Sequence, residues 1–149
     1  MPGSVVVFDT NTLIPLILPA SLSTRLFDRL RAAGWHVAMS PQMLAEARDK
    51  LTTKASLRRW LKLSDQIIQQ FVDHDLPGKT RCIPGFRQAH GAVPADPKDD
   101  MVVAAALEAQ ASYIVSEDKH LLDLGTYQGV VMMNRQEFEA ELDRLGVPK

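Results

Sequence analysis

The run Val5-Val6-Val7-Phe8 restricts the fold more than any other stretch of the chain. A strand with one wet face alternates apolar and polar residues. Four β-formers in succession instead require protein on both sides, the situation of a strand inside a parallel sheet between helical layers. The rest of the chain has the alternation that such a sheet needs. Trp35–Met39, Thr80–Ile83, Ser112–Val115 and Val130–Met133 read as further strands. Between them, apolar residues recur at helical spacing: Leu22, Leu26, Phe27 and Leu30; Met43, Leu44, Ala47 and Leu51; a helix from Met101 to Gln110; and Phe138, Leu142 and Leu145. The punctuation agrees. Gly34 stands where a left-handed cap ends a helix, Ser40-Pro41 reads as N-cap and first helical residue, and Asn134 with Glu137 forms a capping-box pair. Pro15 fits only the first turn of a short helix. Helical pattern runs on to about residue 73, as two helices, and residues 76–97 are a Pro- and Gly-rich loop. The expected fold is α/β: a central parallel β-sheet in a three-layer α/β/α sandwich with right-handed crossovers.

With 149 residues, 46% of them apolar, residues 1–149 are expected to form one domain. No basic n-region precedes the first strand, and no window approaches the roughly 20 apolar residues of a membrane helix. These features point to a cytoplasmic protein that makes no use of a membrane. Cys82 is the only cysteine and reads as structural, having no partner for an internal disulfide.

Asp9 follows a strand with no polar neighbour before it, where burial of a carboxylate is costly unless it is partnered. In parallel sheets functional groups gather at the carboxyl ends of strands and the amino ends of the following helices. That rule brings Asp9, Glu46, Asp99, Asp100 and Asp118 to one rim, with Asp96 read as an N-cap before Pro97. Carboxylates crowded together repel one another, and a divalent cation resolves the conflict. Oxygen-only ligation favours Mg²⁺ or Mn²⁺ and suggests phosphoryl transfer. Asn11 and Ser116 fit as neutral groups orienting the carboxylates. His36, His74, His90 and His120 show no ligand spacing. The net charge of −1 is a weak argument against nucleic acid, because neutralising those five acids leaves the remainder at +4.

Four segments together resemble the PIN-domain nucleases, and among them the toxin components of the VapC type. They are Val7-Phe8-Asp9-Thr10-Asn11-Thr12-Leu13, Ser40-Pro41-Gln42-Met43-Leu44-Ala45-Glu46, Asp96-Pro97-Lys98-Asp99-Asp100 through Ala106, and Ala111 through Leu122. The tail Met132–Phe138 is similar too. The resemblance implies a PIN-like sandwich, Mg²⁺- or Mn²⁺-dependent cleavage of RNA, a homodimer, and an antitoxin protein as partner. It carries Asp9, Glu46 and Asp118 over as catalytic, metal-holding acids. For the remaining acid it leaves both Asp99 and Asp100 open as ligand, because one motif variant selects each. Two positions depart from the family pattern: Pro15 replaces a small residue, and Glu117 replaces a Gly beside the last acid.

For substrate, Lys50, Lys54, Arg58 and Lys62 recur every four residues and would form one basic stripe on a helix, suited to an RNA backbone. Arg81, Arg87 and His90 in the loop are further candidates. Two other readings stay open. One is a non-catalytic PIN-like module that binds RNA or protein. The other is a haloacid-dehalogenase-like phosphatase, whose Asp-x-Asp-x-Thr opening is approached by Asp9-Thr10-Asn11-Thr12 but lacks the second carboxylate at Asn11.

Overall fold

The computed structural model describes residues 4–54, 59, 62–87, 91–94 and 96–149. Strand β1 (Val5–Phe8) is buried along its whole length, so both sheet faces are covered there. It leads directly into a one-turn helix α1 (Thr10–Leu13) and a 3-10 turn, Ile14–Ile17, with Pro15 in its opening positions. Helix α2 (Leu22–Ala32) is capped by Ser21, whose Oγ accepts the Thr24 N–H. Gly34 then turns the chain with a φ of 82° into β2 (His36–Met39). Ser40 caps α3 (Pro41–Thr53) as its sequence position predicts.

Helix α3 ends at Thr53, and Lys54 leaves the helical region with φ −87° and ψ 89°. The described chain next forms α4 (Asp65–Gln70), a π-helical turn at Phe71–Asp75 and α5 (Leu76–Lys79). A two-residue strand β3 (Arg81–Cys82) follows, shorter than the expected Thr80–Ile83, and Cys82 on it is exposed rather than packed. After the loop come α6 (Asp100–Glu108), β4 (Tyr113–Val115), α7 (Lys119–Leu122), β5 (Thr126–Tyr127), β6 (Val130–Met133) and α8 (Arg135–Arg144).

The strand order is β3-β2-β1-β4-β6-β5. All pairings are parallel except β5 with β6. The central strands are parallel as expected, and the antiparallel edge strand β5 is an addition to the expected set. It pairs with β6 in a hairpin whose connection, Gln128 (φ 47°) and Gly129 (φ 86°), lies in the left-handed region that tight hairpin turns require. Only two residues long, β5 carries too little pattern to be legible beside its flanking glycines.

The core is one cluster on both faces of the sheet. Phe8 meets Phe27 of α2 edge-on, at 6.2 Å between centroids. Trp35, Tyr113 and Phe138 form an aromatic triangle that docks α8, with centroids 5.3 to 6.2 Å apart. Arg29 then ties α2 to α8 through Asp143 at 2.7 Å. Val102, Val103, Ala105 and Ala106 are buried on α6, and that apolar face orients the acids at the helix's start. No helix among the described residues is long and apolar enough to cross a membrane.

Phe138 is fully buried and has no polar atom to satisfy. Its replacement, Phe138→Ala, should cost about 3–5 kcal/mol of unfolding free energy. Urea denaturation followed by circular dichroism checks this, with the midpoint falling and the m-value unchanged.

Candidate metal centre

Parallel pairing puts the ends of β1 and β4 side by side, Phe8 opposite Val115. The residues just beyond them, Asp9 and Ser116, therefore share one edge. Asp9 is 4% exposed and caps α1. Its Oδ1 accepts the Thr12 N–H at 2.8 Å and the Thr12 hydroxyl at 2.6 Å, and its Oδ2 accepts the Ser116 hydroxyl. Burial nevertheless raises its pKa, against the lowering effect of these bonds. Ser116 also makes a second bond, in which its Oγ accepts the Asp118 N–H at 2.9 Å. One hydroxyl thus joins the carboxylate of β1 to the backbone that carries Asp118. Asp118 itself caps α7, accepting the His120 N–H at 2.8 Å.

Carboxylate oxygens of Asp96, Asp99 and Asp118 lie within 4.8 Å of one another. Asp96 does cap the turn after it, accepting the Lys98 N–H at 3.1 Å, as its place before Pro97 predicts. Reading it as a cap alone missed its part in the cluster. Pro97–Asp99 is a 3-10 turn, the geometry in which side chains three apart eclipse, so Asp96 and Asp99 meet. The Asp-Pro-x-Asp spacing was the available signal.

Asp99, not Asp100, faces the cluster. Asp100 turns to the preceding loop, where its carboxylate accepts the N–H groups of Gly91 at 2.9 Å and Val93 at 2.7 Å. The expectation that Asp100 joins the other acids is corrected, because adjacent helical residues point about 100° apart and these backbone donors claim its oxygens. Glu46 is also engaged elsewhere. The Lys50 ammonium lies 2.8 Å from its carboxylate and 3.0 Å from Asn11 Oδ1. Asn11 therefore accepts from a lysine rather than orienting an acid. Glu117, the extra charge beside Asp118, accepts the Arg135 N–H at 3.0 Å and so serves the start of α8.

Among the described residues the basic stripe is not a helical row. Lys50 is in α3, Lys54 lies past its end, and Lys62 sits in a turn with φ 56°. Arg58 and His90 lie outside the described residues. Helical periodicity was legible there, but the backbone leaves the helix before it can align the charges.

Three carboxylates crowd this corner. Among the described residues no Lys or Arg pairs with Asp96, Asp99 or Asp118. Asp99 Oδ2 is buried without a hydrogen-bond partner. Its pKa is raised to about 8, first by burial and then by the neighbouring carboxylates of Asp118, Asp96 and Asp9. A buried acceptor without a donor, among hard oxygen ligands, is what a Mg²⁺ or Mn²⁺ ion would satisfy. The residues present fit that group.

The raised pKa has a calculable sign. Between its unfolded value near 4 and its folded value near 8, the folded state holds more protons than the unfolded chain. Metal-free protein should therefore lose thermal stability as pH rises from about 5 to 8.5. Asp99→Asn should flatten that slope, and Mn²⁺ should raise the melting temperature more at pH 8 than at pH 5. Differential scanning fluorimetry across pH, with and without Mn²⁺, measures all three. By contrast Asp100→Ala should cost about 1–3 kcal/mol through the loop while leaving the pH slope in place.

Residues 5–120 match the model of the PIN domain. No curated protein matches the chain. Among solved structures, VapBC2 from Rickettsia felis, bound to a DNA fragment from their promoter, superposes with a TM-score of 0.60 at 13% identity, over 87% of this chain and 98% of that one. PAE2754 from Pyrobaculum aerophilum gives 0.55 at 14% identity, over 97% and 91%. At such identities the two superpositions establish a shared fold, and the family match spans most of the sequence. The chain belongs to the PIN domain family.

Proposed function

We propose that the protein is a Mg²⁺- or Mn²⁺-dependent endoribonuclease that hydrolyses RNA phosphodiesters, working as the toxin of a toxin–antitoxin pair. The observation that carries the reading is the Asp96–Asp99–Asp118 cluster with its unpartnered Asp99 Oδ2, at the strand edge where a parallel sheet places its chemistry. Those three residues would hold the ion, with Asp9 behind them. When bound, the ion would polarise the phosphodiester and lower the pKa of a water.

The chain's own contribution is preorganisation. Ser116 holds Asp9 and the Asp118 backbone in one hydrogen-bonded line, so both acids are placed before substrate arrives. Thr12 takes Asp9 Oδ1 and the Ser116 hydroxyl takes Oδ2, which fixes the carboxylate's orientation. Lys54, Arg81, Arg87 and Lys62 are exposed and are available to an RNA backbone as scattered charges. The toxin role rests on the PIN family and on the fold shared with VapBC2. It implies an antitoxin protein as partner, a homodimer and a cytoplasmic site of action.

The phosphatase alternative fails with the family assignment, and with Asn11 taken up by Lys50. A binding module without turnover is the competing reading, and cleavage decides between them. Purified protein should cut a pool of labelled RNAs in Mn²⁺ or Mg²⁺ and not in EDTA. Asp99→Asn should abolish product, and Asp9→Asn should reduce it about 100-fold, with melting curves confirming that both variants fold. RNA binding without product in any metal would establish the binding module instead.

A further inference from the structure

Glu46 is the acid that the family pattern assigns to the metal site, yet its carboxylate lies against an ammonium of its own helix. Glu46 and Lys50 are one turn apart on α3, 2.8 Å between charged atoms, with both side chains only about a fifth exposed at 19% and 21%. The same ammonium reaches across to Asn11 Oδ1 of α1 at 3.0 Å, so the contact joins two elements. It is more than the usual solvated pair on a helix surface. Asn11 stands two residues after Asp9 in the chain, in the short helix that Asp9 caps.

We propose that Lys50 is a built-in cation occupying the Glu46 corner of the site, so that the protein takes a single divalent ion, at Asp96, Asp99 and Asp118. The inference rests on the metal reading above. Electrostatics separates the rim into two stations. The three aspartates have no Lys or Arg among the described residues, and one of them has a buried oxygen without a donor. Glu46 has its counter-charge already, and a second dication there would have to displace the ammonium or be repelled by it. An ammonium has three donors. Two go to Glu46 and Asn11, and the third is left for a phosphate oxygen. Lys50 would therefore stabilise phosphate charge that a second ion stabilises in two-metal sites, which makes it a residue of the active centre and not of a peripheral stripe.

Counting ions tests this without any activity measurement. Full-length protein titrated with Mn²⁺ alone, by calorimetry and by native mass spectrometry, should bind one ion per chain. Glu46→Gln should still bind one, with affinity unchanged. Lys50→Met should bind two, and the second should disappear in Lys50→Met combined with Glu46→Gln. Two ions in the unaltered protein would overturn the inference, as would a loss of about tenfold or more in affinity for the single ion in Glu46→Gln. A count of one in a folded Lys50→Met would do the same. No bound ion in any of these proteins would overturn the metal reading itself and this inference with it, an outcome distinct from its own failure.

Discussion

Repulsion among crowded carboxylates is the interaction around which the rest of this molecule is arranged. Asp99, Asp118 and Asp96 are brought within ligand distance of one another, with Asp9 close enough for its charge to be felt at Asp99. Such an arrangement does not assemble by itself. It has to be imposed by elements whose own stability comes from elsewhere, here the apolar burial of β1, β4 and α6. The sheet is the source of stability and the rim the place where some of it is lost, the usual relation between a scaffold and a strained site.

The acids are held by ordinary local chemistry. Asp9, Asp96 and Asp118 each accept a backbone N–H at the start of a helical turn. Capping fixes the side chain's direction at little entropic cost, and favourable partial charge at a helix start offsets part of the repulsion. A cap and a metal ligand are therefore compatible roles for one aspartate. The same bonds that make each residue look structural are those that aim it at the cluster. Where no cap is available, at Glu46, a lysine one turn later performs the neutralisation instead.

Legibility differed between parts of the chain for physical reasons. Elements with strong one-dimensional signals appear where they were expected: the all-apolar β1, the Ser40-Pro41 start of α3, the Asn134–Glu137 capping box. The β5 edge was not legible, since two residues between glycines show no period. Among the acids, Asp9, Asp99 and Asp118 reach the rim, but Asp100 is claimed by the N–H groups of Gly91 and Val93. Nothing in a linear pattern reports which backbone donors a loop will aim at a side chain. The charge stripe failed for a related reason, because a spacing of four has meaning only while the backbone stays helical, and α3 stops at Thr53.

What the sequence by itself determined is the architecture and the edge at which chemistry can occur. Burial of a continuous apolar strand forces cover on both faces, and parallel strands deliver the residues after them to the same side. What only the tertiary structure decided is how charge is paired along that edge. Asp96 enters the cluster, Asp100 leaves it, and Glu46 is matched with Lys50 and Asn11. These choices depend on distances of a few ångströms between residues far apart in sequence, and the Coulomb energies that rank them change steeply over that range.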